Sequence, residues 1–289
     1  MIPTCYSPTY FAETPTASMR KLPAIARAVE ALELAELVDP GTLDPDKLRR
    51  LHDPAYVDAF LAGQGPLAHA QGWPWTPQIR DGVMAILAGQ IRATELALEN
   101  GLAANIAQGF HHARYDRGSA YCTFNGLALV AQEFSNLKIG VLDCDEHEGN
   151  GTGAYTELLP NLYNFTIYGS PMFYPENERN IHRQLEHVAG AFRRYQDAVT
   201  EGCEQLRAWG VDLVIYQAGV DPHRDDPLGT LELSTEQLLA RDRQVFRWLR
   251  KAGLPAFFVL AGGYQEPISV LTPLHVNTFR AAMEARRQT

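Results

Sequence analysis

The sequence predicts an α/β fold in which helices cover both faces of a mainly parallel sheet. Five apolar segments of strand length alternate with segments that have apolar residues at helical spacing. The strand segments are continuously apolar, which is typical of strands buried on both faces. The predicted strands are 103–108, 138–144, 162–168, 211–218 and 256–261, and the helices between them are 125–133, 152–159, 181–208 and 234–252.

The N-terminal part of the chain is predicted to contain one short strand, at residues 2–6, and three helices. Asp53 and Pro54 suit the cap and the first turn of the second helix, and Asn100-Gly101 is a good end for the third. The predicted helices are 18–34, 53–61 and 80–99.

Residues 63–77 form an irregular segment that contains Trp73 and Trp75. We expect either a loop at the rim of a pocket or a plain surface connection. At a rim, the loop would cover the pocket of its own chain or that of a second copy, which leaves a homodimer possible.

The composition is that of a globular protein and disfavours several classes of function. The 289 residues carry a net charge of −9, which argues against binding nucleic acid through a general basic field. No apolar run approaches the roughly 18 residues that span a membrane. The N-terminus lacks the features of a secretory signal, so we expect a cytoplasmic protein. We see no linker and predict a single domain over residues 1–289.

The four cysteines are scattered along the chain without a Cys-x-x-Cys pair. This pattern indicates neither a disulfide framework nor a thiolate zinc site. The cysteines are Cys5, Cys122, Cys144 and Cys203.

An acidic motif follows the predicted strand at 138–144. In an extended backbone Asp143, Asp145 and His147 point to one side, and Cys144 and Glu146 point to the other. Carboxylates crowded at one strand end repel each other unless a cation lies among them or they are exposed. The motif therefore predicts either a divalent metal site or a solvated acidic turn.

Polar residues also follow three other predicted strands, and the carboxyl ends of parallel strands meet at one edge of a sheet. We therefore expect four groups of residues to form one site. They are His111-His112, the Asp143 to His147 motif, Asp221, and Gly262-Gly263-Tyr264.

The expected site has the composition of a catalytic metal centre. Asp145, His147 and Asp221 are oxygen and nitrogen ligands that suit zinc or a similar divalent metal, and three protein ligands leave room for water and substrate. Such a metal lowers the pKa of its water to roughly 7, which favours hydrolysis. His111 and His112 are candidates to move the protons, although a His-His pair alone is also compatible with two polar turn residues.

The chain resembles the arginase/deacetylase superfamily, in its histone deacetylase-like branch. The resemblance extends from about His52 to Tyr264 and implies a three-layer α/β/α fold with a sheet of about eight strands. Five motifs in order carry it: Gly109-Phe110-His111-His112-Ala113, Tyr121-Cys122-x-Phe124-Asn125, Asp143 to Gly151, Ala218-Gly219-Val220-Asp221 with Asp226-Pro227-Leu228-Gly229, and Gly262-Gly263-Tyr264. Three further segments are more similar to class IV deacetylases than to classes I or II: Asp116-Arg117-Gly118, Met172-Phe173-Tyr174-Pro175 and Gly263-Tyr264-Gln265.

The resemblance implies roles for individual residues. His112 would be the general base and acid, and His111 its electrostatic neighbour, hydrogen-bonded to Asp143. Tyr264 would donate its hydroxyl to the oxyanion of the tetrahedral intermediate, although a tyrosine there could instead be a packing residue. One zinc ion would be bound by Asp145, His147 and Asp221, and a structural potassium ion would lie near the backbone carbonyls of residues 143, 145 and 147.

The resemblance also implies a narrow tunnel for an acyl-lysine side chain. Tyr121 and Tyr174 would form its aromatic walls, with Cys122 and Gly263 beside them.

The sequence departs from the family pattern at several positions. Asn150 stands where class I members have a carboxylate, so the pKa of His112 should be lower than beside a charged partner. Ala120 replaces a glycine, which leaves the preferred acyl-chain length open. Glu148 replaces a histidine or glutamine, and Pro175-Glu176-Asn177 replaces a Pro-Gly turn.

The leading hypothesis is a zinc-dependent amidohydrolase that removes an acyl group from an acylated lysine or a similar acylated amine. A close alternative is deacetylation of acetylpolyamines or another small metabolite, which an acidic rim would favour. Less favoured alternatives are an arginase-like hydrolase with two manganese ions and a binding module for acylated ligands without catalysis. The acids considered for the rim are Glu146, Glu148, Asp225, Asp226 and Glu266.

Overall fold

A computed structural model describes residues 1–186 and 188–287 of the chain. Its centre is one sheet of eight strands, and every neighbouring pair is parallel. The predicted mainly parallel sheet of about eight strands is therefore confirmed. The strands are β1 (Ile2–Cys5), β2 (Ala35–Val38), β3 (Leu102–Asn105), β4 (Ile139–Asp143), β5 (Leu162–Tyr168), β6 (Asn180–Gln184), β7 (Leu213–Gln217) and β8 (Ala256–Val259), in the spatial order β2-β1-β3-β8-β7-β4-β5-β6.

Helices cover the sheet. Every residue of β4, β5, β7 and β8 is buried, which explains why these strands are continuously apolar in the sequence. In the described ranges, no helix has the length and apolar character needed to span a membrane. The helices are α1 (Ala17–Arg20), α2 (Leu22–Ala31), α3 (Pro45–Leu51), α4 (Pro54–Ala62), α5 (Pro77–Asn100), α6 (Gly126–Glu133), α7 (Asn150–Leu158), α8 (Phe192–Trp209), α9 (Thr235–Ala252) and α10 (Ile268–Arg287).

Several helix boundaries follow from local capping. Thr76 accepts a hydrogen bond from the backbone of Ile79 at the start of α5, and Asn125 caps α6 in the same way through Ala128. Ser234 and Gln237 form a reciprocal capping box at the start of α9. These caps fix where each helix begins as the chain leaves the sheet.

Parts of the sequence-based prediction were wrong or incomplete. The helix predicted for 181–208 begins only at Phe192, because residues 180–184 pair with β5 as the edge strand β6. Only Asn180 of this strand is buried, so its sequence has no apolar strand pattern. The prediction also missed β2, α3 and α10.

The strand order places the site. Strands β3, β8, β7 and β4 are consecutive neighbours, so their carboxyl ends lie side by side. The predicted functional residues lie in the segments that follow these four strands.

A buried histidine connects the N-terminal helices to this region. His52 is fully buried, and its Nδ1 lies 2.8 Å from the carbonyl oxygen of Arg114. The backbone N–H of Asn125 donates to its Nε2 at 3.2 Å. Burial lowers the pKa of His52 to about 4, although the carbonyls of residues 114 and 115 oppose this shift.

We predict that His52 makes the fold sensitive to acid. The pKa of His52 is about 4 in the folded chain and about 6.5 in the unfolded chain. Between these two pH values, the unfolded chain therefore binds one proton that the folded chain does not. The contribution of His52 to the free energy of unfolding should therefore fall as the pH falls through this range, by up to about 3 kcal/mol. Urea unfolding of the wild type and His52→Gln at several pH values measures it. The stability difference between the two proteins should shrink with decreasing pH, and a constant difference would contradict the prediction.

Candidate active site

The predicted metal ligands come together at the carboxyl edge of the sheet. Asp145 and His147 follow β4, and Asp221 follows the adjacent strand β7. One potential ligand atom from each of the three lies within 4.8 Å of the others. The Nδ1 atom of His147 is 3.2 Å from Asp145 Oδ1 and 3.2 Å from Asp221 Oδ2. This geometry fits one small cation.

Backbone groups orient the two carboxylates. The N–H of Gly262 donates to Asp145 Oδ2 at 2.8 Å, and the N–H of Glu146 donates to Asp221 Oδ1 at 3.1 Å. A Cβ atom on Gly262 would lie 2.0 Å from Asp221 Oδ2, so only glycine fits this position. The first glycine of the Gly-Gly-Tyr motif is therefore explained by its approach to Asp221.

The electrostatics of the three residues also favour a cation. Burial and the neighbouring Asp145 carboxylate raise the pKa of Asp221 well above its usual value. Burial lowers the pKa of His147, but hydrogen bonds to Asp145 and Asp221 outweigh it and raise the pKa to about 11. Two buried carboxylates need a positive charge between them, and a divalent metal supplies that charge when the imidazole is a neutral ligand.

The two consecutive histidines have different partners. The Nδ1 of His111 lies 2.7 Å from Asp143 Oδ2, and the Nδ1–H of His112 donates to Asn150 Oδ1 at 2.8 Å. Burial lowers the pKa of His111, but the Asp143 and Asp145 charges raise it more, so the net shift is upward. Burial, followed by the charges of His111 and His147, lowers the pKa of His112 well below its usual value.

His112 is therefore the neutral member of the pair. The direction of this pKa shift is the one that the neutral Asn150 partner leads us to expect, although burial is its largest cause. With its Nδ1–H engaged by Asn150, the Nε2 of the ring remains the proton-accepting atom.

A narrow cavity adjoins these residues, and its space of about 10 Å³ is enough for about one water molecule. Tyr121 and Tyr264 both line it, with their ring centres 6.0 Å apart and their planes tilted by 54°. The indole of Trp73 stacks on Tyr121 at 5.9 Å, so the 63–77 segment covers the pocket of its own chain. The lining residues are Gln108, Phe110, His111, His112, Ala120, Tyr121, Cys122, Asp145, Gln217, Ala261, Gly262 and Tyr264.

The backbone around the cavity has an unusual conformation. Among the described residues, seven residues other than glycine have a positive φ, and four of these line the cavity. Left-handed backbone is unfavourable for residues with a Cβ and persists only where the surroundings impose it. The four are Phe110 (φ 60°), Ala120 (φ 42°), Tyr121 (φ 66°) and Ala261 (φ 49°).

Residues from two other segments hold the loop that carries Tyr264. Its backbone N–H donates to Asp226 Oδ2 at 2.8 Å. The buried ammonium of Lys21 donates to the carbonyls of Ala261 and Gly263, at 2.8 Å and 3.3 Å. Burial and the carboxylates of Asp221 and Asp145 raise the pKa of Tyr264 well above its usual value, which keeps the hydroxyl protonated. The tyrosine is thus placed as a hydrogen-bond donor.

Two of the four expected tunnel residues do not line this small cavity. Tyr121 and Cys122 line the cavity, whereas Tyr174 and Gly263 are outside the lining formed by the described residues. The hydroxyl of Tyr174 donates to Glu157 at 2.7 Å, and the guanidinium of Arg114 lies 5.7 Å from the centre of its ring. In this structure Tyr174 therefore faces the neighbouring helix α7.

Glu148, a departure from the family pattern, explains the position of this segment. Its buried carboxylate accepts hydrogen bonds from the backbone N–H groups of Met172, Phe173 and Tyr174, at 2.8, 2.7 and 2.8 Å. Phe173, in the middle of this segment, is 83% exposed. Asn150 Nδ2 also approaches the carbonyl oxygen of Met172, at 3.4 Å. We call residues 172–174 the rim segment.

Two buried cations that no sequence motif indicated, Lys21 and Arg241, support the site. Lys21 holds the loop of Tyr264, and Arg241 donates to the carbonyls of Cys144 (3.1 Å) and Gly219 (2.7 Å), beside the metal ligands. Arg241 and Asp242 occupy the buried face of α9, between Leu238 and Val245. A charged pair on the apolar face of an amphipathic helix is the sequence signal that could have revealed Arg241.

Comparison with known proteins yields one family model, the histone deacetylase domain, which matches residues 15–278. An uncharacterized protein of Picosynechococcus sp. is 30% identical, with 98% of each chain covered. Histone deacetylase 2 of Arabidopsis thaliana is 34% identical, over 62% of this chain and 49% of its own. Acetylpolyamine amidohydrolase 1 of Pseudomonas aeruginosa is 26% identical, over 82% of this chain and 83% of its own.

One solved structure shows the same fold. The acetylpolyamine aminohydrolase from Burkholderia pseudomallei superposes with a TM-score of 0.81, covering 99% of both chains at 18% sequence identity. The fold is therefore retained in a protein whose sequence has diverged widely.

We predict that removing the Glu148 carboxylate releases the rim segment. In Glu148→Ala, the amides of Met172, Phe173 and Tyr174 lose their common acceptor, so their hydrogen exchange should become faster by about tenfold or more. Hydrogen-exchange mass spectrometry of the rim segment measures this change.

Glu157→Gln is the matched control for this experiment. It alters the bond to the Tyr174 hydroxyl and leaves the three backbone bonds to Glu148 intact, so exchange should stay at the wild-type rate. Equal exchange in wild type and Glu148→Ala would show that Glu148 does not hold the segment.

Proposed function

This chain belongs to the histone deacetylase family, and we propose that it uses one zinc ion to hydrolyse the amide bond of an acylated lysine or a similar acylated amine. It is a hydrolase of amide bonds, as deacetylases are. One observation carries the proposal: Asp145 of the potential metal-ligand cluster, the His111-His112 pair and Tyr264 line the same narrow cavity.

We assign the metal to Asp145, His147 and Asp221. Their oxygen and nitrogen donors and the buried carboxylate charge fit a divalent ion, and three protein ligands leave positions for water and substrate. When bound, such an ion lowers the pKa of a water molecule and polarises the acyl carbonyl. Zinc as its identity rests on the donor set and the family. A structural potassium ion stays a prediction of the family resemblance.

His112 is the proposed general base and acid. Its Nδ1–H is engaged by Asn150, so its Nε2 takes the proton of the attacking water and returns it to the nitrogen of the leaving amine. Burial lowers the pKa of His111, but the charges of its partner Asp143 and of Asp145 raise it more. In its protonated form, His111 would stabilise the negative charge that develops on the substrate oxygen.

Tyr264 is the proposed donor to the oxyanion. Its protonated hydroxyl, on the loop held by Lys21 and Asp226, is available when the carbonyl becomes tetrahedral. Tyr121, whose ring centre lies 6.0 Å from that of Tyr264, is the proposed aromatic wall beside the unbranched methylene chain of an acylated lysine.

The carboxylates at the rim favour an acyl-lysine over an acetylpolyamine. Four of the five acids considered for an acidic rim have partners: Glu146, Glu148 and Asp226 are buried with bonds to neighbouring loops, and Glu266 pairs with Arg20. Asp225 and Glu266 are the exposed ones, with 72% and 49% of their side chains accessible, and the charge of Glu266 is paired with that of Arg20. A polyamine carries further cations that would need exposed carboxylates.

Other features support a single catalytic unit with one metal. In the described ranges, the metal ligands form one cluster, whereas an arginase-like centre needs further carboxylates for a second ion. We also propose that residues 1–289 act as one domain, because Arg286 near the end of α10 donates to the carbonyl of Met1. Class IV membership and a homodimer stay predictions.

The first prediction of this assignment separates catalysis from metal binding. Tyr264→Phe removes one donor to the oxyanion and should lower kcat by about 10²- to 10³-fold, and His112→Ala by about 10²- to 10⁴-fold. Both variants should keep their metal, whereas Asp221→Ala should lose it. Turnover of an acetyl-lysine peptide and metal content by mass spectrometry measure the two effects. Full activity of either catalytic variant would contradict the proposed mechanism.

The second prediction concerns the substrate. We expect kcat/KM for an acetyl-lysine peptide to exceed that for an acetylated polyamine by about tenfold or more, because the rim offers few exposed carboxylates to additional amines. Parallel assays of the zinc-loaded enzyme measure the ratio. A higher kcat/KM for the polyamine that falls selectively in Asp225→Asn would instead support the polyamine alternative.

A further inference from the structure

Tyr121 belongs to a tight turn with a strained backbone. Ser119 and Cys122 pair as in an antiparallel hairpin, with backbone hydrogen bonds of 2.9 and 2.8 Å, and Ala120 and Tyr121 lie between them. Both central residues have positive φ angles, 42° and 66°. A two-residue hairpin turn of this kind strongly prefers asparagine and glycine, because a Cβ atom is unfavourable in left-handed backbone. An alanine followed by a tyrosine therefore needs support from outside the turn.

Residues 71–73 contact both the backbone and the ring of Tyr121. The backbone N–H of Tyr121 donates to the carbonyl of Gln71 at 2.8 Å. The indole of Trp73 stacks on the Tyr121 ring, with the two planes only 7° apart. Gln71 and Trp73 are buried, at 0% and 1% exposure. The strained turn is therefore supported by a second, buried segment of the chain.

The rest of the 63–77 segment fixes this support in place. The indole N–H of Trp75 donates to the carbonyl of Phe60 in α4 at 2.7 Å. The backbone N–H of Gly72 donates to the carbonyl of His69 at 2.9 Å. The segment is thus anchored to a helix at one point and bonded to itself next to Trp73.

Trp73 supports Tyr121 through its ring and not through a hydrogen bond. In the part of the chain that the structure describes, Trp73 Nε1 has no hydrogen-bond partner. A buried, unpaired N–H is unfavourable, so the flat apolar surface is the useful property of this side chain. Phenylalanine would keep a flat ring without the N–H, whereas leucine would fill part of the space without a ring.

We propose that Trp73 is a positioning residue that holds the Tyr121 ring beside the methylene chain of the substrate and thereby sets the affinity for an acylated lysine. This inference rests on the proposed function, in which Tyr121 is an aromatic wall. Trp73 reaches the substrate only through Tyr121, and a wall contributes binding in the ground state and the transition state alike. The loss of Trp73 should therefore change KM more than kcat.

Trp73→Leu and Trp73→Phe test the proposal in assays of the zinc-loaded enzyme with an acetyl-lysine peptide. Trp73→Leu should raise KM by about tenfold and change kcat by less than about threefold. Trp73→Phe should keep KM within about threefold of the wild-type value, because it retains a stacking ring. If Trp73→Leu does not fold, Trp73→Met is the variant without a ring. An unchanged KM in the variant without a ring would overturn the proposal.

A double-mutant cycle separates positioning from a general loss of stability. If Trp73 acts through Tyr121, Trp73→Leu should raise KM by less than about twofold in a Tyr121→Ala background. The same increase in both backgrounds would overturn the proposal. Trp75→Phe is the matched control, because it removes the bond to Phe60 in the same segment and leaves the ring on Tyr121 in place. Its KM should stay within about twofold of the wild-type value.

Hydrogen exchange tests the inference independently of turnover. If no acylated lysine is cleaved, the proposed function fails, but the support of the turn can still be measured by mass spectrometry of peptides that cover residues 119–122. The amide of Tyr121 should exchange about tenfold faster in Trp73→Leu than in the wild type, because its bond to Gln71 opens more often. Trp73→Phe and Trp75→Phe should exchange at the wild-type rate. Wild-type exchange in Trp73→Leu would overturn the inference at any level of activity.

Discussion

The site depends on the close approach of two buried carboxylates, those of Asp145 and Asp221. Parallel pairing of β4 with β7 brings the two strand ends together, and backbone N–H groups of Glu146 and Gly262 hold the oxygens. Such a pair is stable only when a positive charge lies beside it. This constraint explains two other residues. Only glycine at position 262 leaves room for the Asp221 carboxylate, and the buried Arg241 donates to the carbonyls of Cys144 and Gly219, one and two residues from the ligands.

Residues 143–148 contribute side chains to the site and also to the loops around it. Asp143, Asp145 and His147 face the catalytic centre. Glu146 and Glu148 turn away and each bind a neighbouring loop, Glu146 through Ser170 and Thr230 and Glu148 through the rim segment. Alternate side chains of this one short stretch thus provide both the reactive groups and the supports of the surrounding loops, although the chain bends at residues 145 and 146 after β4 ends.

The fold class and the convergence at the strand ends could be predicted from the sequence, because continuous apolar strands and the motifs after them are local patterns. The edge strand β6 could not, since residues such as His182 and Arg183 are polar and pair only because β5 lies beside them. Supports from distant segments were also missed: Lys21 lies 240 positions before the carbonyl of Ala261 that it binds.

The directions of individual side chains also could not be predicted from the sequence. Tyr174 matches a tunnel position of the family. However, Glu148 binds the backbone N–H of Tyr174 and Glu157 accepts a hydrogen bond from its hydroxyl, so its ring is directed towards α7.

The left-handed residues around the cavity have a consequence for the evolution of this enzyme. Phe110, Ala120, Tyr121 and Ala261 adopt costly backbone angles in the lining of the cavity. Substitutions that relax these angles are an obvious source of thermostability, yet they would reshape the wall that recognises the substrate. Selection for heat resistance and selection for turnover therefore act in opposite directions on the same four positions, so gains in stability should accumulate far from the cavity.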